Sequence, residues 1–335
     1  MDLEISALTW TLTVALVLGL LAFDLVLGAL RPHKVGFAEA AAWTLFYIGV
    51  AIAFGTWFTI AHGSDYGTEF FAGYIVEYSL SVDNLFVFVI IMTTFAVPEA
   101  HQQKVLTFGI VLALAMRAVF ILLGAALLAV FSFMFLLFGL LLMFTAVQLF
   151  RHRDEDPDIE SNGVVRPARR LLPVTDTFVD GKLVTKVDGR KMVTPLLIVL
   201  LAIGSIDLLF ALDSIPAVFG VTEEAYIVFA ANAFALMGLR ALFFLVKGLL
   251  DRLVYLSTGL AIILGFIGVK LILHWLNEDV THDLPEVSTP VSLAVIVVIL
   301  TVVTVASLIK TRNDPTAKAH AGAVLGSTAK SHSEH

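Results

Sequence analysis

Long apolar segments alternate with short polar connections along most of the chain. Because a helix needs about 20 mainly apolar residues to cross a bilayer, we read each long segment as one membrane-spanning helix. The nine predicted helices lie near residues 6–30, 38–61, 70–97, 104–128, 130–150, 195–220, 224–247, 253–276 and 290–310. The pattern therefore predicts an all-α polytopic membrane protein.

The amino-acid composition supports this prediction and excludes several classes of functional site. The 335 residues are 59% hydrophobic and only 15% charged, and the mean hydropathy of +0.94 lies outside the range of soluble domains. The chain contains no cysteine, which excludes a disulfide framework, a cysteine-ligated metal site and thiol redox chemistry. We expect the lipid bilayer and a small ion as partners, with no nucleic acid. Homo-oligomer formation is left open.

Lysine and arginine residues fall on alternate connections between the predicted helices. Since connections rich in these residues stay in the cytoplasm, we expect the N-terminus outside and the C-terminus in the cytoplasm. The predicted parts are two N-terminal helices (1–68), a first three-helix repeat (69–150), a cytoplasmic insert (151–194), a second three-helix repeat (195–276), an outer loop with the last helix (277–310) and a disordered cytoplasmic tail (311–335). Inside the insert, the segment from Phe178 to Val184 is either a small hairpin or a disordered loop.

Two of the predicted helices carry the same acidic pattern, in which an acid is followed by five residues, an aspartate and a small polar residue. The six positions are Glu77, Asp83 and Asn84 in the first copy, and Asp207, Asp213 and Ser214 in the second. A carboxylate at the centre of a bilayer costs about 2.5–3.5 kcal/mol on insertion scales, so buried acids need a functional or pairing reason. The default interpretation is a cation site within the membrane.

The two acidic helices run in opposite directions in the predicted topology, so the repeat is inverted. The helices that follow them also match, since Ala115-Met116-Arg117-Ala118 resembles Gly238-Leu239-Arg240-Ala241. The third helices share only weak glycine-containing patterns, at Gly139 and Gly265. Two three-helix units of opposite orientation are a common plan for secondary transporters, with the site at the repeat interface near the midplane. We therefore expect an inverted three-plus-three helix repeat.

Helix geometry limits how four acids can share one site. Positions six residues apart point about 120° apart on a regular helix, so Glu77 and Asp83 do not share a face, whereas Ser81 and Asn84 lie on the Glu77 stripe. A common site therefore requires distorted helices. In the second copy Pro216 supplies a cause, because proline cannot donate a backbone hydrogen bond within a helix.

The number of charges and the type of ligand atoms limit which ion could bind at this site. The four acids and Asp24 outnumber the two mid-membrane arginines, Arg117 and Arg240, so a divalent cation, protons or both must cover the excess negative charge. A purely structural network of acids and arginines is the alternative. Carboxylate, amide and hydroxyl oxygens suit Mn²⁺, Mg²⁺ or Ca²⁺. The residues expected to support the acids are Asp24, Ser81, Arg117, Pro216, Asn232 and Arg240. Asn232 either forms a hydrogen bond between packed helices or contacts and orients a ligand of the ion.

Two other functional classes are weighed against a cation site. Intramembrane aspartyl proteases also use two aspartates on different helices, but the Gly-x-Gly-Asp sequence usual around one of them is absent here. A membrane scaffold that transports nothing has only the long insert in its favour.

The strings around these acids resemble the TerC family, the tellurium-resistance and Alx group of bacterial membrane proteins. The resemblance covers roughly residues 10–276. The longer matching segments are Gly73 to Phe88, Asp207 to Ala217 and Gly238 to Ala241. The shorter matches are Val97-Pro98, Arg117, Thr194-Pro195-Leu196 and Asn232.

That resemblance implies a multi-pass protein of the bacterial inner membrane that is not an enzyme and exports Mn²⁺, which we expect to be exchanged for protons. It places the ion pathway at Glu77, Asp83, Asn84, Asp207, Asp213 and Ser214. Family members usually carry Glu where this chain has Gly204, which could change the affinity, the coupling or the ion. Transport or homeostasis of Ca²⁺ or Mg²⁺ and a scaffold for tellurium resistance are the alternatives.

Overall fold

A computed structural model describes residues 5–30, 36–153, 164–175, 177–179, 181–187, 190–246, 253–281 and 287–314. Within these ranges eleven α-helices follow one another: α1 Ala7–Leu30, α2 Phe37–His62, α3 Ser64–Thr94, α4 Glu99–Val130, α5 Phe133–Arg151, α6 Val165–Leu171, α7 Pro195–Phe219, α8 Ala225–Leu236, α9 Leu239–Val246, α10 Leu256–Leu276 and α11 Thr289–Asn313. A five-residue π-helix, Asn277–Thr281, extends α10.

Eight of the described helices are long and apolar enough to cross a membrane, and α8 and α9 together would make a ninth. The all-α polytopic prediction is therefore confirmed. Helices dominate because a bilayer offers no water to backbone N–H and C=O groups, which must then be satisfied within each spanning segment. The long apolar segments read from the sequence correspond to these helices one by one.

The predicted helix over 224–247 is interrupted, with a bend of 42° between α8 and α9. The bend lies at Gly238, whose φ of 86° is in the left-handed region that favours glycine. A Cβ atom at this position would lie 2.9 Å from the side chain of Tyr47 in α2. Backbone conformation and close packing therefore both require a residue without a side chain.

The prediction that Pro216 interrupts its helix is wrong, because α7 continues through this proline from Pro195 to Phe219. Pro216 stands in the last turn of α7, so the hydrogen bond that it cannot donate is lost only one turn before the helix ends. Helix α3 is also continuous, from Ser64 to Thr94. The break in the second half lies one helix later than the sequence indicated.

The insert contains a hairpin, but at a different position from the predicted one. Strands β1 Val184–Val187 and β2 Arg190–Val193 pair antiparallel, with Val187 opposite Arg190, so that two residues connect them. An Asp-Gly pair suits a two-residue connection, and residues 188 and 189 are the second such pair of the insert. The proposed tail from residue 311 begins as the end of α11, and its part beyond residue 314 lies outside the described residues.

Close helix contacts through glycine bring the central elements together. A Cβ atom on Gly73 of α3 would lie 3.2 Å from Val218 in α7 and 3.3 Å from Ala231 in α8. The first half of α3 shares a hydrophobic cluster with the end of α7, and its second half shares another with the beginning of α7, so the two acidic helices pack antiparallel. At the crossing of α5 and α10, Gly139 faces Gly268. Small residues at such crossings let two backbones approach closely.

Candidate functional site

Arg117 occupies the middle of α4 and is fully buried, with a relative exposure of 0%. Its Nη1 forms an ion pair with Oε1 of Glu77 in α3, and its Nη2 lies 3.7 Å from Oδ1 of Asp207 in α7. Both carboxylates are also buried. The first acid of each sequence copy therefore reaches the same guanidinium group.

The Glu77 stripe predicted from helix geometry is present in α3. The hydroxyl of Ser81 donates to Oε1 of Glu77 over 3.4 Å. One turn further, the hydrogen-bond partners of Asn84 orient its amide: the NH₂ group donates to the carbonyl of Leu80 over 3.1 Å, and the oxygen accepts from Nη2 of Arg117 over 3.0 Å. Arg117 is thus held by oxygens of two carboxylates and one amide.

Several buried polar atoms near this level have no hydrogen-bond partner among the described residues. They are Oε2 of Glu77, Oδ2 of Asp207, the hydroxyl of Ser214 and both amide atoms of Asn232. Ser214 and Asn232 are each only 1% exposed. Buried polar groups in native proteins are nearly always hydrogen-bonded, so a set without partners calls for a ligand or another explanation.

Helix geometry relates Ser214 and Asn232 to the acidic positions. Ser214 follows Asp207 by seven residues, which is two turns on the same face of α7. Asn232 is next to Ala231, which packs against α3 one turn before Glu77. Asp83 and Asp213 lie within α3 and α7, but their side chains are outside the described part of the chain.

The described charges do not balance at this site. Two carboxylates, Glu77 and Asp207, face one guanidinium, that of Arg117, which leaves one excess negative charge. Among the described residues, no group of three or more His, Asp or Glu side chains is close enough to hold a metal ion. In the conformation seen, the guanidinium is the cation that the acids bind.

Arg240, the counterpart of Arg117 in the second copy, has a different partner. Its Nη2 donates to Oδ1 of Asp24 in α1 over 2.7 Å, and the hydroxyl of Tyr47 donates to the same oxygen over 3.1 Å. The sequence proposed Asp24 and Arg240 as supporting residues without pairing them. Arg117 pairs with the acids of the two repeats, whereas the described carboxylate partner of Arg240 lies outside the repeats.

A cavity of about 470 Å³ opens at the end of the bundle where α7 connects to α8. The charged residues of its lining are Glu69, Glu223, Glu224, Lys270 and His274. The His274 ring lies 3.2 Å from the carboxylate of Glu223, and hydrogen bonding to His274 lowers the pKa of Glu223 below its usual range. None of these residues was a site candidate, although Glu69, Glu223 and Glu224 stand at the ends of predicted helices.

The chain matches one protein-family model, that of the integral membrane protein TerC family, over residues 62–315. An uncharacterized membrane protein of Mycobacterium tuberculosis is 46% identical over 314 residues, which span 90% of this chain and 79% of the relative. The chloroplast thylakoid membrane protein TERC of Arabidopsis thaliana is 42% identical, over 80% of this chain and 68% of the relative.

A third relative is the putative membrane-bound redox modulator Alx of Salmonella typhi. It is 34% identical, over 89% of this chain and 92% of the relative. No solved structure matches the chain.

Proposed function

This chain belongs to the TerC family of integral membrane proteins, and on that premise we propose that it is a secondary transporter that exports Mn²⁺ from the cytoplasm. The observation that carries the proposal is that Oε2 of Glu77 and Oδ2 of Asp207, both buried, have no hydrogen-bond partner among the described residues. A carboxylate oxygen is retained in the middle of a membrane protein at high cost. A transported cation that binds those oxygens accounts for that cost.

The donor set favours a hard divalent cation. Glu77 and Asp207 would bind the cargo through their carboxylates, with Asn84 and Ser214 adding an amide and a hydroxyl oxygen. The sequence adds Asp83 and Asp213 to this set. Oxygen donors of this kind suit Mn²⁺, Mg²⁺ and Ca²⁺, whereas soft metals prefer sulfur ligands.

The rest of the proposal follows the sequence pattern. Two inverted three-helix units would place the acidic helices α3 and α7 on opposite sides of a midplane site. The distribution of Lys and Arg supports an N-terminus outside and a cytoplasmic C-terminus in the bacterial inner membrane. Protons would neutralise the acids after release of Mn²⁺, which makes exchange for protons the proposed coupling.

The name of the Salmonella relative refers to redox modulation. This chain has no cysteine, so thiol–disulfide exchange is not available to it. Any effect on redox state would then come through the ion that it moves. The remaining alternative is a scaffold role in tellurium resistance. In that role the function of the protein would not depend on the buried acids.

Transport by the purified full-length chain tests the proposal. Lipid vesicles loaded with a Mn²⁺-sensitive dye should report Mn²⁺ entry with wild-type protein, and Glu77→Gln and Asp207→Asn should abolish it. Asp65→Asn is the matched control, because Asp65 is an exposed carboxylate at the beginning of α3. Transport of Ca²⁺ or Mg²⁺ in preference to Mn²⁺ would change the cargo. Unaltered Mn²⁺ flux in both acid variants would refute the proposed site.

A further inference from the structure

The guanidinium of Arg117 contacts the same oxygens that a metal cargo would need. It pairs with Oε1 of Glu77 and faces Oδ1 of Asp207, and it also donates to the amide oxygen of Asn84. These three oxygens come from α3 and α7, the two helices that carry the acidic pattern. A guanidinium group has donors only and is always charged, so it substitutes for a cation at this position.

The described charges favour one cation at a time. Arg117 leaves the two carboxylates with one excess negative charge, whereas a divalent cation alone would neutralise them. Glu77, Asp207 and Arg117 are 0–2% exposed, so a metal bound to the same carboxylate oxygens would lie beside the guanidinium with little water between the two cations. Because charge repulsion is strong where water is excluded, the guanidinium and the metal compete for the carboxylates.

Among the described residues, the guanidinium of Arg117 is contacted only at its terminal nitrogens. Its Nε has no partner among the described residues, and the contacts that hold the group are made at Nη1 and Nη2. If Nη1 and Nη2 move away from these oxygens, every described contact of the guanidinium is broken.

We infer that Arg117 is a tethered substitute for the cargo: its guanidinium binds the carboxylates when no metal is present, and it must leave them before Mn²⁺ can bind. This inference rests on the proposed function, since it needs a cargo that binds Glu77 and Asp207. It adds that the unloaded site remains occupied by a cation of the protein itself. The arginine thereby lowers the affinity for Mn²⁺ and aids its release.

The test measures Mn²⁺ binding by calorimetry and Mn²⁺ transport in vesicles, on the same full-length variants. Arg117→Gln should bind Mn²⁺ about tenfold more tightly or better, since a charge-assisted competitor has been removed, and should transport it more slowly. Arg117→Lys keeps the charge but contacts fewer oxygens at once, and its affinity should lie between the two. In the double variant Asp24→Asn/Arg240→Gln, which removes the other arginine with its partner, affinity should not rise.

Chemical rescue provides a second readout that a structural role would not produce. Arg117→Ala leaves space for a free guanidinium ion, so added guanidinium chloride should weaken Mn²⁺ binding to this variant and speed up its transport. The same concentration should not affect Mn²⁺ binding to the wild-type protein, whose site already holds a guanidinium group. Sodium chloride at equal ionic strength is the control for screening.

The outcomes separate the inference from the proposed function. If wild-type protein neither binds nor transports Mn²⁺, the proposed function fails and the inference falls with it. If Mn²⁺ binding requires Glu77 and Asp207 but is unchanged or weaker in folded Arg117 variants, only the inference is overturned. Failure of all Arg117 variants to fold, even with Mn²⁺ or guanidinium present, would assign the residue a structural role and also overturn it.

Discussion

The crossing of α5 and α10 offers a sharp test of the packing, because the chain supplies its own control. In Gly139→Ala, the new Cβ would lie 2.7 Å from Cγ1 of Ile272 and 2.8 Å from the carbonyl oxygen of Gly268. Ordinary contacts begin at 3.4 Å. The carbonyl is backbone and cannot rotate away, so the two helices must separate by about 0.6 Å at this point.

The expected cost follows from this displacement. Overpacking of a tight interior costs about 1–3 kcal/mol, and the higher helix propensity of alanine returns up to about 1 kcal/mol. A net loss of about 1–2 kcal/mol corresponds to a melting temperature lower by roughly 2–8 °C. In Gly265→Ala, the nearest atom to the new Cβ is that of Ala146 at 3.7 Å, an ordinary contact, so this variant should melt at or above the wild-type temperature.

Size-exclusion chromatography after heating, in one detergent, measures the fraction of folded protein for both variants and the wild type. The prediction is a difference in sign between two glycine-to-alanine changes on the contacting faces of the same helix pair. Equal melting temperatures for Gly139→Ala and Gly265→Ala would contradict the close backbone contact. A larger loss in Gly265→Ala would indicate a different register between α5 and α10.

Two further predictions concern ion pairs. Arg240→Gln should lower stability by about 2 kcal/mol, because among the described residues it leaves the carboxylate of Asp24 with the hydroxyl of Tyr47 alone. Asp24→Asn/Arg240→Gln should recover most of that loss in the same heating assay, and no recovery would show that the two residues are not coupled. Hydrogen bonding to His274 lowers the pKa of Glu223, so this ion pair stabilises the protein above pH 4.5, the ordinary pKa of the carboxyl. That stabilisation is lost as the pH falls through the lower pKa that Glu223 has in the folded protein. His274→Gln should therefore reduce the acid-induced drop in melting temperature between pH 5 and pH 3, and an identical pH profile in the variant would argue against the pair.

Sequence reasoning was most reliable where the bilayer leaves few choices. Apolar segments of sufficient length had to be helices, since no other open structure satisfies the backbone in lipid. The position of the break was harder to predict. Pro216 is a local signal whose effect is absorbed at the end of α7, whereas the glycine at the bend packs against Tyr47, a distant residue of α2.

The same distinction applies to the site. Counting charges left a structural network of acids and arginines open as an alternative, and Arg117 does pair with the carboxylates of Glu77 and Asp207. The count could not assign Arg240 to Asp24, because that choice depends on where α1 packs. The hairpin of the insert was placed at the first Asp-Gly pair because both pairs look alike locally, and only the register of β1 with β2 distinguishes them.

The two arginine pairs differ in how soon their partners are available during synthesis. Arg117 can enter the bilayer with Glu77 of the preceding helix, so α3 and α4 can insert as a hairpin in which Glu77 already has its counter-charge. Asp24 and Arg240 are separated by 216 positions, so α1 must remain beside the translocation site, or return to it, until α9 has been made. Asp24 also lies before residue 62, where the match to the family model begins. The first helix, which packs on the periphery of the bundle, therefore supplies a charge that the second half of the protein needs to complete its assembly in the membrane.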